Sequence, residues 1–352
     1  MKYAGIARVK AGLKSFGLPR IVILLFILFL NMMLFVLDLP VALTFSQCLV
    51  RVGINIVLSL AMAPCIMAGT GMNFALPLGI ECGLVAGMIS LQFNMTGIAG
   101  IAAAMLISIP FSVAAGYAYS LLVNRVKGSE MMVSTYVGFS VVALMCIAWL
   151  ILPFSHPSIV WPIGKGLRTT ITLDAWYDRA LNNLWALKLW GVDVPVGLFL
   201  VAGLFCLAMW LFMRSKAGLM MKAAGANPKY ALANGIKVDS MRALGTILST
   251  VLGGVGIIIY AQGFGFYQLY NAPLMMAFPA ISAVLIGGAS PKKISILNIV
   301  LGTVMFQTML AVAVPVANSM IPEGNLSEVV RTIVSNGVIL YALSRMQSGS
   351  KE

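Results

Sequence analysis

Charge is scarce in this sequence. Only 9% of its 352 residues are Asp, Glu, Lys or Arg, where a soluble domain carries about a quarter. A water-soluble surface cannot be built from so little charge, because these are the residues that stay outside. A soluble enzyme and a disordered chain are excluded on that ground. Histidine is nearly absent too: His156 is the only one, with no partner constellation around it for catalysis or a metal. The five cysteines (Cys48, Cys65, Cys82, Cys146 and Cys206) form no C-x-x-C pair and read as free thiols acting as small hydrophobes. No G-x-x-x-x-G-K-[ST] stretch occurs, so the chain has no phosphate-cradling loop of that kind for ATP.

What is present is apolar: 61% of the residues, with a mean hydropathy of +0.99. A helix needs about 20 apolar residues to cross the hydrocarbon core. Ten segments read as spans, the first, eighth and tenth short and open to extension into their flanks: 21–37, 50–68, 74–92, 98–123, 131–153, 195–213, 243–263, 274–289, 295–314 and 329–344. Helices are expected, because lipid leaves the backbone no other partner and no alternating strand pattern appears. The fold class is therefore an all-α polytopic membrane protein, with the lipid bilayer as its first partner.

The net charge of +13 would suggest nucleic acid in a soluble protein. Here the lysines and arginines sort by side. With the N-terminus inside, 17 of the 23 fall in inner segments and 6 in outer ones. The positive-inside rule then gives ten spans with both termini cytoplasmic, and no nucleic-acid partner. The basic start and first apolar run lack a small-residue cleavage site and read as a span, not a leader. The layout is a cytoplasmic segment 1–20, one transmembrane domain 21–344 and a cytoplasmic tail 345–352.

Two loops are long. The outer one, 154–194, holds four of the six tryptophans. Its second part, Asp174 to Gly191, has Trp176, Tyr177, Ala180, Leu181, Leu184 and Leu187 at helical spacing, which predicts an amphipathic helix in the headgroup layer or a docking surface for an outer partner. The inner loop, 214–242, is better specified. Asn227 is a good N-cap and Pro228 a good first helical residue. Lys229 to Asn234 supply two turns, and Gly235 stops them. Gly218 and Gly225 join this short helix to the preceding span. A stiff lever of this kind suits a transporter that receives work from a cytoplasmic engine.

Three stretches then carry a family resemblance: GINIVLSLAMAPCIMAGTGMNFALPLG (Gly53–Gly79), GLMMKAAGANPKYALANGIKV (Gly218–Val238) and FPAISAVLIGGASPKKISILNIVLGTVMF (Phe278–Phe306). In this order the chain resembles the membrane-spanning permease subunit of bacterial ABC importers of the ribose and simple-sugar type, a superfamily that includes nucleoside and branched-chain amino acid permeases. It departs from the pattern at Asn73, where the family has an acidic residue, at Ala75, where it has Ser, and at Ala289–Lys293, where it has a glycine-rich turn. The resemblance implies that Gly225, Asn227, Pro228, Ala231 and Gly235 form or bound the helix that couples to an ATPase subunit. It also implies partners: an ABC ATPase that binds ATP and Mg, an extracytoplasmic solute-binding protein, and a second permease subunit, identical or related. No cofactor is expected in this chain, and the location implied is the bacterial cytoplasmic (inner) membrane.

Polar residues inside the spans give candidates for the solute pathway. Glu81 is the one acidic residue well inside a span, and such a charge faces a cavity or a partner. It lies about 200° around its helix from Gly79, away from the Gly79–Gly83–Gly87 ridge that suits close helix packing. Asn55 and Asn73 can bond solute hydroxyls, or hold open backbone groups where Gly69, Gly71 and Pro77 break the chain. Phe264, Phe266, Tyr267 and Tyr270, in the uncharged stretch Gly263–Asn271, can line an outer gate or sit in an interfacial aromatic belt. The function expected is that of a transport subunit, not an enzyme: import of a small polar solute, sugar or nucleoside, by alternating access driven by a separate ATPase. An ion-coupled secondary transporter is the alternative, and it commonly needs more interior ionisable groups than Glu81. A membrane enzyme would need a polar catalytic cluster that is not seen.

Overall fold

The computed structural model describes residues 18–270, 272–289, 294–320 and, beyond these, 329, 332, 333, 336 and 337. The chain is mostly helical. It runs α1 (Leu18–Val36), α2 (Val41–Leu60), α3 (Met62–Met67), α4 (Leu76–Gln92), α5 (Gly97–Arg125) and α6 (Glu130–Ile151). A loop with β1 (Thr170–Thr172), α7 (Ala180–Asn183), β2 (Ala186–Leu189) and β3 (Val192–Pro195) follows. The second half holds α8 (Val196–Arg214), α9 (Lys216–Ala226), α10 (Pro228–Ala233), α11 (Val238–Phe264), β4 (Phe266–Gln268), α12 (Ala272–Ile286) and α13 (Ile296–Met320).

Six helical stretches among the described residues are long and apolar enough to cross a membrane: α2 running on into α3, then α5, α6, α8, α11 and α13. Helices α1, α4 and α12 are apolar but shorter. Nine of the ten expected spans thus coincide with helices, while most of the tenth, 329–344, lies outside the described residues. The largest boundary difference is at α2; α11 also starts five residues early and α13 runs six residues on. Helix α2 begins at Val41, directly after Pro40, nine residues before the expected start. Ser46, Gln47 and Arg51 lower the local hydropathy and make this stretch look like loop, yet it is helical and carries Arg51 into the bundle.

Helices α2, α11 and α13 form the buried centre, whereas α5, α6 and α8 turn most of their residues outward. Leu106, Tyr136, Leu144 and Leu204 are exposed there, the apolar outer surface that a lipid-facing helix requires. The glycine ridge of α4 faces α11. A Cβ on Gly79 would lie 2.4 Å from the Thr250 carbonyl oxygen, and one on Gly83 would lie 2.2 Å from that of Gly254. The two backbones touch because α4 carries no side chain at either contact, and at Gly83–Gly254 neither helix does.

The expected helix over Asp174–Gly191 does not form. Only Ala180–Asn183 is helical, and residues 186–195 are an antiparallel hairpin with Leu189 opposite Val192. Its two-residue turn has φ of 50° at Trp190 and 82° at Gly191, as a type I′ turn demands. The sequence Leu187-Lys188-Leu189, Trp190-Gly191, Val192-Asp193-Val194 alternates about that turn. This strand period overlaps the helical one and wins, because a glycine able to take positive φ sits at the turn.

The loop's other half is sewn to the end of α11. Strand β1 pairs with β4, with Ile171 opposite Tyr267. The Leu173 amide donates to Gly265 and the Arg179 amide to Gln262, while the Asn182 amide group donates to the Gly263 carbonyl. Gly265, at φ 89°, ends α11 in the left-handed conformation that releases the chain into β4.

Candidate functional site

Two regions concentrate polar side chains in the bundle, one at the hairpin end and one at the opposite, lysine-rich end.

At the hairpin end a cavity of about 450 Å³ opens between α2, α11, α12 and α13. Arg51 and Asn55 enter it one helical turn apart on α2. Tyr260 and Phe264 line it from α11, and Phe266 and Gln268 from β4. The three aromatic rings run in series, with centroids 4.7 Å apart for Tyr260–Phe264 and 6.1 Å for Phe264–Phe266. The Arg51 guanidinium lies 5.9 Å from the Phe264 centroid, within cation–π range. A second cavity, of about 640 Å³, lies against the β2–β3 hairpin. The two cavities share Arg51 and Phe264 as lining residues.

Two of the five residues expected in the pathway, Asn55 and Phe266, therefore meet in one cavity. Asn55 is buried, and its Nδ2 donates to the Arg51 carbonyl at 2.8 Å. Phe266 faces the cavity while Tyr267, next along β4, faces the other way, as alternation on a strand requires. Tyr267 is fully buried, with its hydroxyl 3.1 Å from that of Tyr177. Burial, the largest cause, pushes Tyr177 up to about 12 and Tyr267 well above the usual tyrosine range. Both stay protonated at neutral pH, so one can donate to the other.

Asn73 and Glu81 lie elsewhere. Asn73 donates to the Ser249 hydroxyl at 2.8 Å and accepts from the Ala75 amide at 3.0 Å. Its amide fastens the turn between α3 and α4 to α11 and satisfies the first backbone donor of α4. Glu81 is 2% exposed, and neither carboxylate oxygen has a hydrogen-bond partner among the described residues.

At the lysine-rich end the short helix α10 begins where the sequence places it. Asn227 Oδ1 accepts from the Tyr230 amide at 3.1 Å, Pro228 is the first helical residue, and Gly235 has φ 76°. Ala231 is fully buried against Ala224 and Val238. The residues before it are not a plain joint but an eleven-residue helix, α9, capped by the Ser215 hydroxyl. Gly225 presses directly on the break between α3 and α4: a Cβ there would lie 2.1 Å from the Met67 carbonyl oxygen.

The first turns of α11 hold the α5–α6 connection just as firmly. Arg242, buried, places Nη2 2.6 Å from Glu130 Oε1 and 3.2 Å from the Val123 carbonyl, with Nε 3.1 Å from Asn124 Oδ1. Asn124 donates back to the Asp239 carbonyl, and Lys127 pairs with the Asp239 carboxylate at 2.7 Å. A cleft of about 720 Å³ lies between this cluster and α10.

Sequence reasoning named Phe264 beside Phe266 as a gate residue, and both line the cavity; it missed Arg51, Tyr260 and Gln307 there, and Glu130 and Arg242 at the other end. A signal existed for two of them. Arg51 is a charge within an apolar run, and Gln307 is an amide in the middle of α13; either is costly in a membrane unless it meets a cavity or partner.

Long apolar helices around a cavity, with a short capped helix at the basic end, mark a multi-pass membrane protein, and the family match defines it as a permease. The chain belongs to the family described as branched-chain amino acid transport system / permease component, whose profile matches residues 44–343. It is 30% identical over 117 residues to the nucleoside ABC transporter permease protein NupC of Lactococcus lactis subsp. cremoris, covering 33% of this chain and 37% of that protein. It is 25% identical over 207 residues to the autoinducer 2 import system permease protein LsrC of Yersinia pestis, and 27% over 208 residues to that of Yersinia pseudotuberculosis. Each of these two matches covers 56% of this chain and 53% of the relative. The chain thus spans about half or less of the length of the relatives it matches.

Proposed function

We propose that this chain is the transmembrane permease subunit of an ATP-driven ABC importer in the bacterial cytoplasmic membrane, moving a small polar solute of the sugar or nucleoside kind by alternating access. Family membership carries this reading, and the capped helix at Asn227 supports it. The chain crosses the membrane ten times with both termini in the cytoplasm, so that the lysine-rich end is cytoplasmic and the hairpin end is outer. A separate ATPase binds ATP and Mg and engages the segment from Gly225 to Gly235. An extracytoplasmic binding protein delivers the solute, and a second permease subunit, identical or related, completes the pathway.

On this reading Asn55 and Phe266 line the outer chamber that receives the solute. Asn73 and Tyr267 hold the frame around it. ATPase closure pushes α10; Gly225 passes the movement to the α3–α4 break, and Arg242 passes it to the α5–α6 connection. Glu81 is assigned to the pathway at another stage of the cycle, and Glu81→Gln checks this. The pathway role expects altered uptake or ligand preference, while wild-type uptake and preference would remove it.

The deciding experiment is isolation of the tagged chain from its host membrane in mild detergent, with mass spectrometry of what accompanies it. A Walker-motif ATPase and an outer binding protein are expected. A chain that comes alone, with uptake stopped by ionophores and untouched by ATP depletion, would establish the ion-coupled alternative.

A further inference from the structure

Buried polar groups are ordinarily hydrogen-bonded, and each exception needs a reason. In the outer chamber the group that calls for a reason is Gln307, in the middle of α13, whose carboxamide opens only to the cavity it lines. It is 4% exposed and lines the cavity. Yet its carboxamide makes no hydrogen bond among the described residues, although neighbouring Thr308 bonds Cys48 and Thr303 bonds its own helix backbone. An amide so placed presents one acceptor and two donors to whatever enters. Asn55, across the same cavity, has committed Nδ2 to the Arg51 carbonyl and presents Oδ1. Leu310 and Met276 make the nearby wall apolar.

We infer that Gln307 is a specificity-determining residue of this chamber: its carboxamide pairs with a hydrogen-bond donor and acceptor held side by side on a neutral ring solute. A carboxylate or phosphate offers only acceptors and leaves Oε1 unpaired. A hydrocarbon offers neither. Two neighbouring hydroxyls, or the donor–acceptor edge of a nucleobase, satisfy both ends, and the aromatic series Tyr260–Phe264–Phe266 gives the ring a flat apolar wall. A site built to pair with a polar group discriminates strongly against the analogue that lacks it, because its own buried groups are then left unpaired.

The inference rests on the importer reading, and the test separates the two. Uptake by the intact transporter is measured with ribose, 2-deoxyribose, uridine, 2′-deoxyuridine and 3-methyluridine, for the natural chain and for Gln307→Met. The natural transporter is expected to prefer an intact solute over its depleted analogue by about tenfold or more. Preference for ribose and uridine over the deoxy forms places a diol at Gln307; preference for uridine over 3-methyluridine places the base edge there. In Gln307→Met, kcat/KM for the intact solute falls about tenfold or more, and the analogue is nearly unaffected, so the preference collapses. Equal losses for both solutes, or no loss, overturn the inference. So does a transporter that isolates with its ATPase yet moves none of these solutes, while the importer reading survives. Isolation without any ATPase removes the importer reading itself. If Gln307→Met does not reach the membrane, Gln307→Asn decides: it keeps both groups on a shorter arm, and a retained preference with raised KM is expected, whereas lost preference without a change in KM contradicts the inference.

Discussion

The two ends of this bundle treat polar groups in opposite ways. At the hairpin end, Gln307 is buried with no hydrogen bond among the described residues, and Asn55 has only its Nδ2 committed, to the Arg51 carbonyl. At the basic end, Arg242 alone engages Glu130, Asn124 and the Val123 carbonyl, and Asn227 caps the helix it starts. A group left unpaired inside a protein is available to a third party, while a group with every bond made holds its neighbours as one body. On the proposed reading, the hairpin end is the one that receives the solute and the basic end the one that moves. Substitutions at the basic end should break transmission without changing preference, and Gln307→Met should do the reverse.

The largest effect is expected at Gly225. A side chain there meets the backbone of Met67 and Gly69, not a flexible group that can turn aside, and overpacking against backbone is poorly relieved. Gly225→Val should separate α9 from the α3–α4 break and abolish solute uptake. ATPase that still co-purifies and still hydrolyses ATP would show that attachment and transmission are distinct. Uptake at half the natural rate or more would show that this contact does not transmit.

Arg242→Ala comes next. It leaves Glu130, whose side chain is 16% exposed, without its partner, and removing one member of a buried pair costs about 3 kcal/mol. Thermal unfolding in detergent should move down accordingly, and ATP hydrolysed per solute imported should rise. The double exchange Arg242→Glu with Glu130→Arg should recover part of both. If the exchange restores stability and leaves the ratio high, the pair is structural only.

How much of this was readable beforehand varied with the kind of signal. The capped helix at Asn227 was legible residue by residue, because capping chemistry is local and each of Asn227, Pro228 and Gly235 has a single common use. The Gly79–Gly83–Gly87 ridge was legible for the same reason, though its partner α11 was not. The stretch 186–195 misled, since Trp176 to Leu187 fits a helix and Leu187 to Val194 fits a hairpin, and only the positive φ at Trp190 and Gly191 decides. Arg51 was read as the edge of a span because averaging over a window treats a charge that way, and the cavity that makes it tolerable inside is a tertiary feature. Gln307 is a single residue in an apolar helix; without the walls contributed by α2, α11 and α12 nothing distinguishes an amide facing a chamber from one bonded to a neighbour.

The smallest effect lies inside the same cluster that Arg242 dominates. Lys127 and Asp239 are closer than most ion pairs, at 2.7 Å, yet their side chains are 56% and 59% exposed. Water screens both charges, and holding two long flexible groups together costs side-chain entropy. Lys127→Ala should therefore change stability by no more than about 0.5 kcal/mol, with what effect there is fading as salt rises. Asp239 also loses little, because its carbonyl keeps the bond from Asn124. Measured beside Arg242→Ala at low and high salt, the pair separates two explanations of the lever. If buried contacts transmit the movement, Arg242→Ala raises ATP hydrolysed per solute at both salt concentrations and Lys127→Ala at neither. Were Lys127→Ala to match Arg242→Ala at low salt and recover at high salt, the loop would be steered by surface charge, and the buried Arg242–Glu130 contact would not be the link between α11 and the α5–α6 connection.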